Sequence, residues 1–590
     1  MAASIQFTYP PIDTDRGEIR LLNINPGKQG DDLVLSFEVL RVEDDSKVDF
    51  DAISYRWESQ ANTQLFLASL QPYFLTDSQR RVIQDLRYTD CIRRIWIDAI
   101  CIDQGNITER SQQIQLMRII YSKARHVCIW LNYGLDRDSL VYHQFLRLEH
   151  ELDYFTMLEG GVDFWDPICN IFEHEYFRRV WVQQEISSAA RLSLQCRKTV
   201  LPLACLIPFL RAWEELRSMH SADEFGQRTT YGNEPMDLLE VLCRSRELAC
   251  TDQRDIVYGL MFLSHGWRQF DLIADYTLPV SEVYRQAMIA CFTVYGTLAF
   301  LEHANFSYDC HKAIMDRTPS WVPDFRKKSQ RQPRRNLWLR QDKGVPLRQD
   351  YSHLARFSGH LLYTCGAKIA DIEQCFDFWS QNGGVLDVSV HTFAQSFNQI
   401  IEESRLPVAR KNRTLRLVWL LTEAASPSPN GLGDEEFVEA AGFFANCFEP
   451  PADDLRQEKT PLTLNQLRGG ISRHNDLGEL DAEGDEAEDL FSTVSVMLMN
   501  LCYLQAERAT PFICAAGSIG LASLETRLGD EIWLIPTCPR PIVLRPKDGK
   551  HSVLGRAWYE DDMTWNESLG ACDSGCSEAF VNARTEICLK

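Results

Sequence analysis

The residues best equipped for chemistry are acids and flat rings set at the ends of three apolar segments. In RRVWVQQEI, Trp181 and Glu185 lie four apart, so a helix there puts both side chains on one face. A carboxylate held in that way can oppose positive charge that develops in a transition state. The plainer expectation is an ion pair between Glu185 and Arg178, Arg179 or Arg191. Asp98, Asp103 and Gln104 interrupt the run IWIDAICIDQ, Ile95 to Gln104. Such acids can bind sugar hydroxyls or a magnesium ion, or simply accept from the backbone amides of the next helix. Ser54, Tyr55 and Trp57 end the run DAISYRW, where rings can stack on a planar ligand or pack in the core. Cys572 and Cys576 form the one tight cysteine pair. Lacking a second pair or a histidine at zinc-ligand spacing, they are an incomplete ligand set, and no metal is expected there.

These residues need elements to position them. Ile95, Trp96, Ile97, Ile100 and Ile102 are β-branched or aromatic, which predicts one strand covered on both faces and stopping in polar residues. Asn106 and Glu109 then have capping-box spacing, and Ile114, Met117, Tyr121 and Ala124 form one inward helical stripe. The next strand is HVCIWL, His126 to Leu131, which completes a strand–helix–strand unit with a right-handed crossover. Upstream, IRLLNI and LVLSFEVLRV suggest a hairpin. A helix follows with Thr76 or Asp77 as cap and Val82, Ile83 and Leu86 inward. From Leu192 to about Phe325 the spacing reads as mainly helical, in PLACLIPFLRAWEELRSM, MDLLEVLCRSREL and SEVYRQAMIACFTVYGTLAFL.

A chain of 590 residues exceeds the usual size of one hydrophobic core, which predicts two or three domains. The formal charge of −22 opposes attraction to phosphate backbones and anionic lipid, so neither nucleic acid nor membrane is expected as a partner. No secretory signal or long apolar span is visible, and the 19 scattered cysteines read as free thiols of a reducing, cytoplasmic setting. The acid excess is uneven. Asp476 to Asp489 carries eight acids in fourteen residues, whereas RKKSQRQPRR, Arg326 to Arg335, carries six bases in ten and suits a solvated loop or a nuclear-import patch. No G-x-x-x-x-G-K-[ST] stretch occurs, so any activating protein partner must act in trans.

The segments DAISYRWES, IWIDAICIDQGNITERSQQIQLMRIIYSKARHVCIWL and RRVWVQQEI resemble, in order and spacing, the fungal heterokaryon-incompatibility (HET) domain. TDQRDIVYGLMFLS, ADYTLPVSEVYRQ, PSWVPDF and GDEIWLI look like segments that accompany it. The HET domain is similar to the TIR domain, so the resemblance implies an α/β fold with a TIR-like (flavodoxin-like) parallel sheet. With the composition and spacing of the other segments, the expected layout is N-terminal strands over 1–50, the HET domain over 51–190, a helical region over 191–325 and a mixed α+β region over 326–590, in which an acidic stretch poor in aromatics at about 452–490 is expected to be disordered. By the same resemblance Glu185 is the catalytic residue, and Ser54, Tyr55, Trp57, Asp98, Asp103 and Trp181 bind substrate. The implied substrate is NAD, cut at the nicotinamide–ribose bond, with no cofactor and no metal. The implied role is self/non-self recognition in fungal innate immunity, ending in programmed cell death. The alternative is a non-catalytic module that oligomerises or binds partners through the HET domain. Glu58 departs from the glycine usual after the first motif's tryptophan, and its side chain would narrow the mouth of the site. Arg254 and Asp255 of TDQRD, with Tyr258, are expected to form a buried bridge outside that site.

Overall fold

The computed structural model describes residues 7–28, 30–42, 49–56, 63–68, 71–139, 142–143, 171, 174–202, 237–246, 248–304, 318–326, 353–376, 399–400, 402–403, 510–515, 517–523, 525–538, 540–559 and 585–590. The chain divides into two units, Met1–Pro279 and Val280–Lys590. The segment PLACLIPFLRAWEELRSM after its first residue, the acidic stretch, most of the basic run, Trp57, Glu58 and the Cys572/Cys576 pair lie outside the described residues.

The first unit is built on a mixed sheet. Its strands are β1 (Glu18–Ile24), β2 (Val34–Arg41), β3 (Asp51–Tyr55), β4 (Thr63–Ala68), β5 (Gln71–Thr76), β6 (Arg93–Trp96), β7 (His126–Leu131), β8 (Leu192–Cys196) and β9 (Thr199–Pro202). They run in the order β5-β4-β2-β1-β6-β3-β7-β8-β9. β6, β3, β7 and β8 are mutually parallel, and the hairpins β1/β2, β4/β5 and β8/β9 are antiparallel. Every residue of β3 is buried, as a central strand covered on both faces requires. From β3 the chain goes to β6 on one side and then crosses to β7 on the other. The parallel strands therefore diverge about β3, where open α/β sheets leave a crevice.

Helix α1 (Asp77–Leu86) opens on Thr76, whose side chain and that of Gln79 make a reciprocal capping box, and it buries Val82, Ile83 and Leu86. The expected long strand is corrected: β6 stops at Trp96, and Asp98–Cys101 forms a single helical turn, α2. Ile97 is extended and accepts from the amides of Ile100 and Cys101, while Gln104 donates to the Asp98 carbonyl. Ile100 and Ile102 are buried by tertiary packing and not by a strand, so their β-branched type marked burial and not conformation. Helix α3 (Ile107–Lys123) has Asn106 as its cap and buries Ile114, Met117 and Tyr121. Helix α4 (Val180–Ser188) precedes β8. β8 and β9 correct the helical expectation from Leu192; the sheet continues there, and helix resumes in α5 (Leu238–Arg244) and the short α6 (Asp255–Tyr258).

The second unit begins with helix α7 (Val280–Tyr295), which buries Val283, Tyr284, Ala287, Met288 and Cys291. Its strands are β10 (Ala355–Ser358), β11 (Leu361–Cys375), β12 (Thr510–Cys514), β13 (Ile519–Ala522), β14 (Glu531–Leu534), β15 (Ile542–Lys547), β16 (Lys550–Arg556), β17 (Trp558–Tyr559) and β18 (Thr585–Leu589). Pairings run in a closed circuit β11-β14-β15-β16-β18-β11, so the long β11 is shared by both ends of the sheet. Ile372, Phe512, Ile532, Val543 and Leu554 fill its core. PSWVPDF supplies buried Trp321, whose indole donates to the His360 carbonyl at 2.9 Å. Among the described residues the cysteines are free, and no helix is long and apolar enough to cross a membrane.

Candidate functional site

Two ion-pair clusters, each built on a buried carboxylate, frame the parallel strands. At their N-terminal end, Asp51 accepts from Arg93 at 3.0 Å and from Arg125 at 2.8 Å. Past the end of β6, Arg20 of β1 makes a two-pronged contact with Glu109 of α3 at 2.6 and 3.0 Å and also donates to the Cys101 carbonyl. Glu109 accepts from the Asp103 amide at 2.8 Å. Asn106 caps α3 as its type predicts, yet Glu109 serves this bridge and does not return to the cap. The turn that carries Asp98 is thus pinned from both sides by a charge pair shielded from water.

Helix α4 presents the central carboxylate. Arg179, immediately before it, donates to the Tyr55 carbonyl at 2.8 Å, and Gln183 donates to the Phe177 carbonyl at 3.0 Å. Gly259 beyond α6 lies so close that a Cβ there would sit 2.8 Å from Val180. This tight packing buries the α4 face bearing Glu185, which is 3% exposed. The expected surface ion pair with an arginine is therefore corrected. Glu185 accepts a hydrogen bond from the Ser54 hydroxyl, and that hydroxyl is shared with Tyr176, which lies on the 3-10 turn Glu175–Arg178 before α4. Serine has one proton to give, so with Glu185 ionised the donation runs from Tyr176 to Ser54 to Glu185. The fully buried Tyr121 hydroxyl lies beside the same carboxylate without meeting hydrogen-bond geometry.

Burial raises the Glu185 pKa most, the Asp98 carboxylate raises it further, and Arg179, Ser54 and Tyr121 oppose them; the outcome is a group pushed up to about 7. Tyr121 and Tyr176 are driven well above the usual phenol range by burial and then by Glu185, so both remain donors. The centre is a carboxylate that changes charge near neutrality inside a cage of hydroxyls. It can stabilise a cation or hold a proton, depending on pH.

Of the residues singled out from sequence, Ser54, Asp98 and Glu185 converge here. Tyr55 does not: its side chain is 4% exposed and lies near Tyr73, on the opposite side of β3 from Ser54, as strand alternation requires. Asp103 accepts from the Gly105 amide at 3.0 Å and lies near Tyr9. Trp181 hydrogen-bonds Asp255, whose pKa burial pushes up to about 6. TDQRD is also corrected in detail. Arg254 pairs with Asp252 at 2.6 Å and holds the Leu278 carbonyl at 2.9 Å, whereas Asp255 accepts from Tyr276 at 2.7 Å. Sequence reasoning placed Tyr121 in the core stripe and passed over Tyr176. A buried tyrosine hydroxyl must find a polar neighbour, and that requirement was the available signal. Among the described residues no group of three or more His, Cys, Asp or Glu side chains is placed to hold a metal ion.

Fold and site together define a mixed α/β unit with a buried, proton-active carboxylate at the C-terminal ends of its parallel strands. Residues 50–185, which span β3 to Glu185, match the family model described as heterokaryon incompatibility protein (HET), so the chain contains a HET domain. It is also similar to heterokaryon incompatibility protein 6, OR allele, of Neurospora crassa, with 22% identity over 45% of this chain and 51% of that one. The chain thus spans about half the length of the curated relative it matches. No solved structure matches it.

Proposed function

We propose that this protein acts in fungal heterokaryon incompatibility, and that its HET domain is a TIR-like unit that hydrolyses NAD at the nicotinamide–ribose bond through Glu185, leading to programmed cell death. The strand order β6-β3-β7-β8 supports the fold reading, because it is the flavodoxin-like order with β3 as first strand and the crevice beside it. The observation that carries the chemical reading is the caged carboxylate at that position. In the reaction the ribose C1′–nitrogen bond breaks, and its electron pair leaves on neutral nicotinamide, so no general acid is needed. Ionised Glu185 opposes the oxocarbenium charge left on the ribose, and water adds at C1′ with loss of a proton. Ser54 and Tyr176 hold the carboxylate, and their hydroxyls are the groups that a ribose would replace.

Because Glu185 is buried, this reading makes the present arrangement a resting one, opened by self-assembly through the HET domain or by an activating partner in the cytoplasm. The same burial is the specific observation that favours a second reading, a non-catalytic module whose Tyr–Ser–Glu chain only rigidifies the core. Expression of wild type and Glu185→Gln in fungal hyphae, with cell death and cellular NAD followed together, separates them. Death with falling NAD only in wild type supports the enzyme; death of equal extent in both, at constant NAD, supports the module.

A further inference from the structure

Away from the Glu185 centre, Arg118 of α3 and Arg268 of the 3-10 turn Trp267–Gln269 both rest against one indole. The Arg118 guanidinium lies 4.7 Å from the Trp267 ring centre and that of Arg268 lies 5.4 Å from it. The ring is fixed from below by Phe262, edge-on at 5.0 Å, and by the turn itself, whose cap Gly266 takes φ 70°, a left-handed value that favours glycine. Neither arginine pairs with a carboxylate among the described residues. By contrast, Arg20, Arg93, Arg125 and Arg254 of the same unit each hold an acid within 3.0 Å, in a chain whose 83 acids outnumber its 61 lysines and arginines. Partial burial and the neighbouring Arg268 charge both lower the basicity of Arg118, and no anion offsets them. Two like charges gathered on one ring, one of them partly buried, are costly unless an anion joins them.

We infer that Arg118 and Arg268, both resting against Trp267, form a binding site for the phosphate or pyrophosphate group of a small soluble molecule. Guanidinium forks match phosphate oxygens two at a time, and Trp267 fixes both forks in advance, so less side-chain freedom is lost on binding. The site is separate from Glu185 and does not depend on the NAD reading: α4 packs on α3, but the groups facing Glu185 include neither arginine.

The test is calorimetric titration of the full-length protein with inorganic pyrophosphate at low ionic strength, and in parallel with a nucleoside diphosphate. The expected result is saturable binding at one site that weakens as salt rises. It should fall at least tenfold in Arg268→Gln, an exposed position that leaves the fold intact, and in Arg118→Gln, and stay unchanged in Arg81→Gln, an exposed arginine elsewhere. Tighter binding of the nucleoside diphosphate supports a nucleotide as the natural source of the phosphate, and equal binding supports free pyrophosphate. Absence of binding to the wild type, or binding equal in Arg268→Gln and Arg81→Gln, overturns the assignment.

Discussion

Replacing Glu185 by Gln removes a titration while keeping the shape and the oxygen that accepts from Ser54. The carboxyl is raised from 4.5 to about 7 in the folded protein, chiefly by burial and by Asp98. A raised acid binds its proton more tightly when folded, so its contribution is full below pH 4.5 and is lost as pH climbs from there through 7. At 1.36 kcal/mol per pKa unit, wild type loses roughly 3 kcal/mol over that window from this group. The variant does not. In a unit of this size about 3 kcal/mol corresponds to roughly 6–12 °C in melting temperature. Other acids titrate in the same range, among them Asp255, so the readout is the difference between the two proteins, measured by scanning calorimetry every half pH unit from 4.5 to 8.5. The variant should gain on the wild type steadily to about pH 7 and then hold its gain. A difference that is flat with pH would mean that Glu185 titrates as a solvated carboxylate, and the buried cage would be refuted.

Asp98→Asn removes the anion that helps hold Glu185 protonated, so the rise just described should end at lower pH; an unchanged endpoint would show that burial alone sets it. Arg20→Met strands the Glu109 carboxylate in the core and should cost about 3–5 kcal/mol, with much of the loss recovered in Arg20→Met/Glu109→Leu. Thermal unfolding checks both, and additive losses would argue that the pair is not coupled. If assembly opens the site, nicotinamide release should rise faster than in proportion to protein concentration, and strict proportionality in a verified monomer would count against it.

What could be read from residue types was local or periodic. Thr76 or Asp77 was the expected cap, and the stripe Ile114, Met117 and Tyr121 predicted the inward face of α3, because both depend on neighbours a few positions away. The turn at Asp98–Cys101 could not be read in this way. Its apolar residues are buried as a strand's would be, and its conformation depends on a hydrogen bond from Gln104 and on the Arg20–Glu109 pair, whose members lie 89 residues apart. Tyr176 escaped notice for the same reason, since its partner Ser54 lies 122 residues away. Ser54, Asp98 and Glu185 were legible as a group through family likeness, and their burial was not. Solvent access is decided by which helices pack together, and α4 is closed in by α3 and the Gly259 segment.

The central claim is that ionised Glu185 does the chemistry, and the most direct measurement is nicotinamide release from NAD by purified full-length protein. Wild type and Glu185→Gln should be compared between pH 6 and 8.5, at concentrations where any assembly is complete. The account predicts release by wild type that climbs with pH through about 7, as the carboxylate loses its proton, and a fall of roughly a hundredfold or more in the variant. Equal release by the two proteins would remove Glu185 from the mechanism and contradict the account.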